Sequence, residues 1–434
     1  MSTPVDRSVS ERVTEKAVFR KVVLRIVPFL MLCYVVSYLD RVNVGFAQLQ
    51  MSKDLNLSNA AFGLGAGLFF IGYFLFEVPS NILLQKVGAR VWIARIMISW
   101  GVVSAAAMFT RDEWSFYALR FLLGVAEAGF YPGVILYCTY WFPAQRRAKA
   151  IALFMSAIPV AGIFGNPLSG WIMHTFDQVG GLAGWQWLFV LEALPAIAVG
   201  VWCLFYLDDS VRGAKWLSDE EKAVVEKAVA EDAGRTVGHG KLSEGFRNPK
   251  VWLMAFIYFC FVMGQYALTF WMPAFVKSSG VKSVVAIGLL SAVPYVAALV
   301  AMNFFGFSAD RRRERRWHLV IPALMGTAGF SAAAAVHGSV VLSLIALSIA
   351  AAGVLTCAPL FWSLPTSFLG GVGAAAGIAV INSVGNLAGF VSPYMIGAIK
   401  DSTGSSVVPM FVLAGVLVIG ALAVLTTDKR TVNR

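Results

Sequence analysis

The sequence predicts an all-α polytopic membrane protein in which twelve transmembrane helices form two six-helix pseudo-repeats. The first reason is composition: of 434 residues, 58% are hydrophobic and 14% are charged, and the mean hydropathy is +0.73. Soluble domains carry about 25% charged residues, so this chain falls well outside their range. The second and third reasons are a regular series of apolar segments and a basic turn that occurs twice.

Twelve apolar segments have the length that a bilayer requires. In the first half we predict spans at residues 24–47, 60–84, 91–110, 115–137, 147–173 and 186–207. In the second half we predict spans at residues 250–276, 284–306, 317–337, 340–363, 374–398 and 406–427. We therefore expect an N-terminal six-helix bundle at 1–207, a linker at 208–248 and a C-terminal six-helix bundle at 249–434.

The charge distribution predicts the orientation in the membrane. Although the net charge is +11, the basic residues form short clusters between apolar runs, which argues against a nucleic-acid partner. The clusters fall in alternate loops, as at Lys86 and Arg90, at Arg146 and Arg147, and at Arg311. By the positive-inside rule, both termini are expected to be cytoplasmic. The polar N-terminus shows no removable signal peptide.

The five cysteines predict neither a metal site nor a disulfide framework, because all lie in apolar segments without CxxC spacing. In the linker, Ser218 and Glu221 have the spacing of a capping box and predict a short amphipathic helix through about Glu231. Two interpretations of this helix remain open. It either ties the two bundles together at the cytoplasmic face or is a solvated connection without a specific role.

Charged residues inside apolar segments predict the functional site. Asp40 and Arg41 lie in the first segment, and Arg120 and Glu127 lie in the fourth. A charge within the bilayer costs several kcal/mol, so such residues are functional candidates. Consecutive helical residues point about 100° apart, so Asp40 and Arg41 need separate partners. Arg120 and Glu127, close to two turns apart, share a helix face. Together they indicate a proton-coupled anion site.

The repeated basic turn resembles a loop motif of the major facilitator superfamily, whose two halves are parallel repeats. The first copy runs from Gln85 to Arg90, and the second follows the eighth segment at Asp310 to Arg315. The second copy matches the family pattern. The first departs from it, with Asn81 where the family has glycine and Gln85 where it has aspartate. The resemblance implies the major facilitator fold.

Within that superfamily the chain resembles the anion:cation symporters, which include tartrate, phthalate, hexonate and hydroxyphenylacetate permeases. The residues that carry the resemblance lie at 38–47, 72–81, 120–133, 185–192 and 382–393. The resemblance implies that Asp40 and Glu127 are protonation sites and that Arg41 lies at the substrate anion. It also implies that Arg120 pairs with Glu127. The alternative for Asp40 and Glu127 is a structural role in ion pairs that lock helices.

The remaining site residues follow from side-chain chemistry. Arg41 offers a planar fork of donors suited to a carboxylate, and Tyr38 and Tyr73 could add hydroxyl groups, although packing explains Tyr73 equally well. In the second half, the predicted substrate contacts are Gln265, Tyr266, Trp362, Ser363, Asn382 and Asn386. The two asparagines share a face, and interhelical hydrogen bonding is their alternative role. Structural or gating roles are predicted for Arg120, Glu77, Asp310, Arg311 and Arg315.

These features predict a proton-coupled symporter that imports a small organic acid anion across the bacterial inner membrane by alternating access. The expected partners are the anion and the lipid bilayer, and the expected form is a monomer. We expect neither an enzyme nor a cofactor or metal, with protons as the coupling ion. An organic-anion exchanger or exporter without net proton uptake is the main alternative, followed by a channel and a sensor. The sequence does not choose between sugar acids, tartrate-like acids and aromatic acids.

Overall fold

The computed structural model describes residues 15–235, 248–336, 338–365 and 371–429. Fifteen α-helices and no strand occur in these ranges. In chain order the helices are α1 (Glu15–Asp54), α2 (Asn59–Val87), α3 (Ala89–Ala106), α4 (Glu113–Glu127), α5 (Phe130–Trp141), α6 (Ala144–Met155), α7 (Ala157–Thr175), α8 (Gly184–Tyr206), α9 (Asp219–Arg235), α10 (Pro249–Ser278), α11 (Val284–Arg312), α12 (Arg316–Ala335), α13 (Val340–Phe361), α14 (Gly371–Thr403) and α15 (Val407–Leu425).

The predicted fold class is confirmed. Within the described ranges, eleven helical segments are long and apolar enough to cross a membrane, and each coincides with a predicted span. The remaining predicted span, 374–398, lies within the 33-residue helix α14. The proposed bundle boundaries stay a prediction, since residues 1–14, 236–247 and 430–434 lie outside the described ranges.

Two of the predicted spans are not continuous helices. The span predicted at 115–137 is broken between α4 and α5 at Gly129, whose φ of 85° is left-handed. A Cβ atom at this position would lie 2.4 Å from the Ser80 hydroxyl, so the close approach to α2 also requires glycine. The span predicted at 147–173 is interrupted at Ser156, which separates α6 from α7.

The linker helix α9 is attached to the N-terminal half. The predicted capping box is present: the Glu221 N–H donates to the Ser218 hydroxyl at 3.2 Å, and the Ser218 N–H donates to Glu221 at 2.9 Å. The helix extends beyond the predicted end, to Arg235. Lys21 of α1 pairs with Glu221 at 2.7 Å. These contacts hold α9 against the N-terminal half and do not by themselves join the two halves.

The two halves close against each other at one end of the bundle. We call the end at which α1 begins and α15 ends the linker face, and the other end the opposite face. Near the opposite face, a Cβ atom on Gly63 of α2 would lie 2.2 Å from the Pro393 carbonyl oxygen of α14. A Cβ atom on Gly397 would lie 2.1 Å from the Asn59 carbonyl oxygen. Small residues thus allow direct backbone contact between the halves.

Asp401 joins the halves at the opposite face by binding the start of α2. Its carboxylate accepts hydrogen bonds from the N–H groups of Asn59 at 3.1 Å and Ala60 at 2.7 Å, and from the Asn59 side-chain amide at 2.7 Å. These N–H groups have no partner within their own helix. Burial raises the pKa of Asp401, but these hydrogen bonds outweigh it and hold the pKa below its ordinary value.

Replacing Gly63 by valine is predicted to hold the opposite face apart, because the side chain would overlap the Pro393 backbone. The measurement is the distance between spin labels at Lys53→Cys and Lys282→Cys, which are exposed in opposite halves. All five native cysteines are buried, so labelling is selective. The label distance should increase in Gly63→Val. Gly306→Val is the matched control, since a Cβ atom there meets nothing within 4 Å. Equal distances in both variants would contradict this packing.

Removing the Asp401 carboxylate is predicted to favour the open form of the opposite face by about tenfold, or about 1.4 kcal/mol. The same labels measure this population in Asp401→Ala. Asp177→Ala is the control, because Asp177 binds the Gly184 N–H at 2.9 Å within one half. Because the pKa is lowered in the closed form, closure should be constant above about pH 4 and weaken below it. A closure that strengthened on acidification would contradict the assignment.

Candidate functional site

A cavity lies between the two halves, and its empty space, with the open solvent at its mouth included, is about 550 Å³. Five tyrosines line it: Tyr34, Tyr73, Tyr131, Tyr258 and Tyr266. Three amides line it from the C-terminal half: Gln265, Asn382 and Asn386. Of the described residues in the lining, Arg41 alone carries a charge. The cavity therefore combines one guanidinium with hydroxyl and amide groups on an aromatic wall.

The cavity is closed towards the opposite face by contacts between α1 and α10. The Tyr38 hydroxyl accepts a hydrogen bond from Gln265 Nε2 at 3.2 Å and lies 3.4 Å from the Thr269 hydroxyl. About two turns further along α1, a Cβ atom on Gly45 would lie 2.7 Å from the Phe270 carbonyl oxygen. Tyr38 is therefore buried in the contact between α1 and α10 that closes the cavity, and it does not line the cavity as a substrate contact would.

Arg41 joins the cavity to a buried acid behind it. Its Nη2 donates a hydrogen bond to Glu127 Oε1, which also accepts from the Ser37 hydroxyl at 2.8 Å. Glu127 is 1% exposed and does not line the cavity, whereas Arg41 does. The Arg41 Nε has no acceptor in the part of the chain that the structure describes. The guanidinium is thus neutralised on one side and keeps donor capacity for a ligand.

The resemblance implies that Arg120 pairs with Glu127, but no ion pair joins the two side chains among the described residues, and the Glu127 charge acts on Arg120 only from a longer distance. Arg120 is buried on α4 with its guanidinium carbon 5.2 Å from the Phe69 ring centre, and its Nε and Nη2 have no acceptor. Residues seven apart share a helix face but are separated by about 10 Å along the axis. Arg41 of α1 reaches the carboxylate from the neighbouring helix, so it takes the place that the sequence assigned to Arg120.

Asp40 faces the interior of the N-terminal half and not the cavity. Its carboxylate accepts hydrogen bonds from the Ser104 hydroxyl at 2.7 Å, from Trp100 Nε1 at 2.9 Å and from Asn43 Nδ2 at 3.3 Å. Since an indole N–H can only donate, this arrangement fits the ionised carboxylate. As expected for consecutive helical residues, Asp40 and Arg41 have separate partners.

The predicted contacts from the C-terminal half divide into two groups. Gln265, Tyr266, Asn382 and Asn386 line the cavity, as does Tyr73 from α2. Trp362 and Ser363 do not line it, because α13 ends at Phe361 and the chain leaves the helix there. The Trp362 ring packs edge-on against Tyr258 with 5.1 Å between ring centres.

Apart from Arg120, the residues predicted as structural or gating groups lie towards the linker face. Glu77 of α2 accepts a hydrogen bond from Asn382 Nδ2 of α14 at 3.3 Å, so it bridges the two halves beside the cavity. Arg315 donates to the Ser363 carbonyl oxygen at 3.0 Å. Asp310 and Arg311 are exposed at the end of α11. Their roles in gating stay predictions.

Several residues around the site were not identified from the sequence. Tyr34, Ser37 and Arg41 recur at intervals of three and four residues, and this helical stripe on α1 was a signal for one side of the cavity. Trp100 and Ser104 are likewise four apart, but nothing in the sequence of α3 shows that they face Asp40.

Comparisons with known proteins agree with this geometry. Residues 30–393 match the model of the Major Facilitator Superfamily. The chain belongs to the Major Facilitator Superfamily.

Its relatives are transporters. The chain is 50% identical over 429 residues to a "Putative tartrate transporter" of Agrobacterium vitis, covering 97% of this chain and 95% of the relative. It is 47% identical over 420 residues to the "Putative metabolite transport protein NicT" of Pseudomonas putida, covering 96% of each. The solved structure of a D-xylose-proton symporter superimposes with a TM-score of 0.75 at 14% identity, covering 95% of this chain and 99% of that one. This last likeness concerns the fold alone. The relatives confirm that the protein is a transporter and not an enzyme.

Replacing Arg41 by methionine is predicted to lower stability by about 3 kcal/mol at pH 7, because it leaves Glu127 buried without its cation. The double variant Arg41→Met with Glu127→Gln should recover most of this loss. Thermal unfolding of the purified protein in detergent measures both. Arg120→Met is the matched control and should cost little, since Arg120 makes no ion pair in the described structure. Equal losses in the single and double variants would show that the pair contributes no stability.

Proposed function

We propose that this protein is a proton-coupled symporter that imports a small organic acid anion across the bacterial inner membrane by alternating access. In this proposal both termini are cytoplasmic and the transporter acts as a monomer. The observation that carries the proposal is the position of Arg41, which lines the cavity between the halves and is paired with the buried Glu127 behind it.

The pair of Arg41 and Glu127 supplies a physical route to coupling. A substrate carboxylate and the Glu127 carboxylate compete for one guanidinium, since both are bound best by its charged N–H groups. Protonation of Glu127 removes the competitor and leaves Arg41 as an unneutralised cation facing the cavity. Anion binding then offsets the cost of that buried charge. Proton and anion therefore favour each other's binding.

Asp40 is the proposed second proton site. The three donors around it stabilise the anion, which is the form expected after a proton has been released. In the same structure, the halves are closed at the opposite face and Asp401 binds the start of α2. In this proposal, the combination belongs to a stage of the cycle in which the face opposite the cytoplasm is closed.

The substrate class follows from the cavity lining and from the relatives. Five tyrosine hydroxyls and three side-chain amides provide many hydrogen-bonding groups beside the single guanidinium. Such a lining suits an acid that carries hydroxyl groups, and a relative at 50% identity bears the name of a tartrate transporter. We therefore propose hydroxylated acids, with tartrate as the first to test. Aromatic acids are the second group, because the tyrosine rings could stack on them.

Proteoliposomes that contain a pH-sensitive dye test the proposal. An inward gradient of L-tartrate, D-galactonate or benzoate is expected to acidify the lumen with at least one of these acids. Arg41→Ala should abolish this signal, and Glu127→Gln and Asp40→Asn should reduce it at least tenfold. Glu220→Gln is the control, since Glu220 is an exposed acid on the linker helix α9. Saturable uptake without acidification would overturn symport and support the exchanger or exporter.

A further inference from the structure

Glu192 is a third buried acid in the N-terminal half, and the transport mechanism above does not use it. It lies on α8 and is 1% exposed. Its Oε1 accepts a hydrogen bond from the Ser169 hydroxyl of α7 at 2.7 Å. Its Oε2 is buried without a hydrogen-bond partner among the residues that the structure describes. An ionised carboxylate with half of its acceptor capacity unused would be costly at this position.

No cation among the described residues compensates Glu192. No described Lys, Arg or His lies within ion-pair distance of it, and the group that acts on it electrostatically is another acid, Asp40 of α1. Ser169, the side chain that reaches it from α7, is neutral. Helix α3 packs against α8 through Gly101, whose Cβ position lies 3.2 Å from the Ala193 carbonyl oxygen. The Ser169 hydroxyl gives a negative charge on Glu192 one hydrogen bond, whereas the burial of the carboxyl and the Asp40 carboxylate disfavour that charge.

Asn43 connects Glu192 to Asp40. Its Nδ2 donates to Asp40 Oδ1 at 3.3 Å, and its side chain also lies at the Glu192 carboxyl. Its Oδ1 is buried without a donor, as is Glu192 Oε2. Two side chains that adjoin each other therefore each carry an oxygen without a donor among the described residues. Exchanging the positions of Oδ1 and Nδ2 in the Asn43 side chain would not supply the missing donors, because Oδ1 would then face the Asp40 carboxylate.

We propose that Glu192 is a neutral carboxylic acid whose Oε2–H group donates to Asn43 Oδ1. One proton converts Oε2 from an acceptor into a donor and satisfies both orphaned atoms. It also fixes the Asn43 amide with its Nδ2–H towards Asp40. Glu192 is thus a positioning residue for Asp40, acting through Asn43, and α8 and α1 share a chain of hydrogen bonds in the core of the half.

The consequence for coupling rests on the proposed function, whereas the protonation of Glu192 does not. If Asp40 carries a transported proton, a neutral Glu192 keeps a second negative charge away from it and holds the Asn43 donor in place for the Asp40 anion. The test therefore uses a spectroscopic signal and no transport assay. If the protein is not a symporter, the infrared signal of a protonated Glu192 is still expected. If that signal is absent, the protonation of Glu192 is disproved, and proton uptake in proteoliposomes still decides whether the protein is a symporter.

The test is infrared difference spectroscopy of the purified full-length protein at pH 7, comparing wild type with Glu192→Gln. The expected difference is the loss of one carbonyl band of a protonated acid, with no loss of carboxylate bands. Asp401→Asn is the control: this acid is ionised at neutral pH and should lose carboxylate bands only. If Glu192→Gln instead loses carboxylate bands, Glu192 is ionised and the proposal is overturned.

Asn43→Ala provides the second variant. Removing the acceptor of the Oε2–H group should shift the Glu192 acid band to higher frequency, an effect that a purely structural role for Asn43 would not produce. An unshifted band would contradict the hydrogen bond. Failure of Glu192→Gln to fold would also contradict the proposal, because a glutamine amide has the size of the neutral acid and can donate to Asn43 in the same way.

Discussion

The ion pair between Arg41 and Glu127 is the constraint on which the account of this transporter depends. Two charges held out of water are tolerated because each neutralises the other, and removing either one leaves the other exposed to a low dielectric. What distinguishes this pair is its position: one partner lines the cavity and the other lies behind it. Any event that neutralises Glu127 therefore leaves the positive charge of Arg41 without its counter-ion at the cavity surface.

The remainder of the N-terminal half supports this pair without adding another cation to the cavity. Asp40 points the other way, into a cluster of neutral donors from α1 and α3. Arg120 lies over the Phe69 ring, near the pair but not in it. The C-terminal half contributes amides and hydroxyls. The N-terminal half thus supplies the charge in the cavity, and the C-terminal half supplies shape and hydrogen-bonding groups.

Movement between the halves is controlled by contacts of a different kind. Glycines at the opposite face bring α2 and α14 into backbone contact, and the Asp401 carboxylate binds the free N–H groups of α2. Such contacts are strong when the surfaces meet and vanish when they separate, which suits a closure that must be reversible. Near the linker face, the hydrogen bond between Asn382 and Glu77 spans the halves beside the cavity.

The sequence predicted the fold because hydrophobic length and charge between spans are local properties, as the agreement of the spans shows. It also predicted that Asp40 and Arg41 need separate partners, because the angle between consecutive residues is a property of one helix. It did not identify Arg41 as the partner of Glu127, since spacing along α4 carries no information about how closely α1 approaches. The break at Gly129 was missed for the same reason, because the glycine is required by contact with Ser80 of α2.

The most direct test of the central claim is the pH dependence of L-tartrate binding to the purified protein, measured by calorimetry in wild type and in Glu127→Gln, with D-galactonate and benzoate as further probes. The account predicts that wild type binds at least one of these acids more tightly as the pH falls. It predicts that Glu127→Gln binds the same acid tightly at every pH with little dependence, because Arg41 is permanently released. Loss of binding in Glu127→Gln, or an unchanged pH dependence, would contradict it.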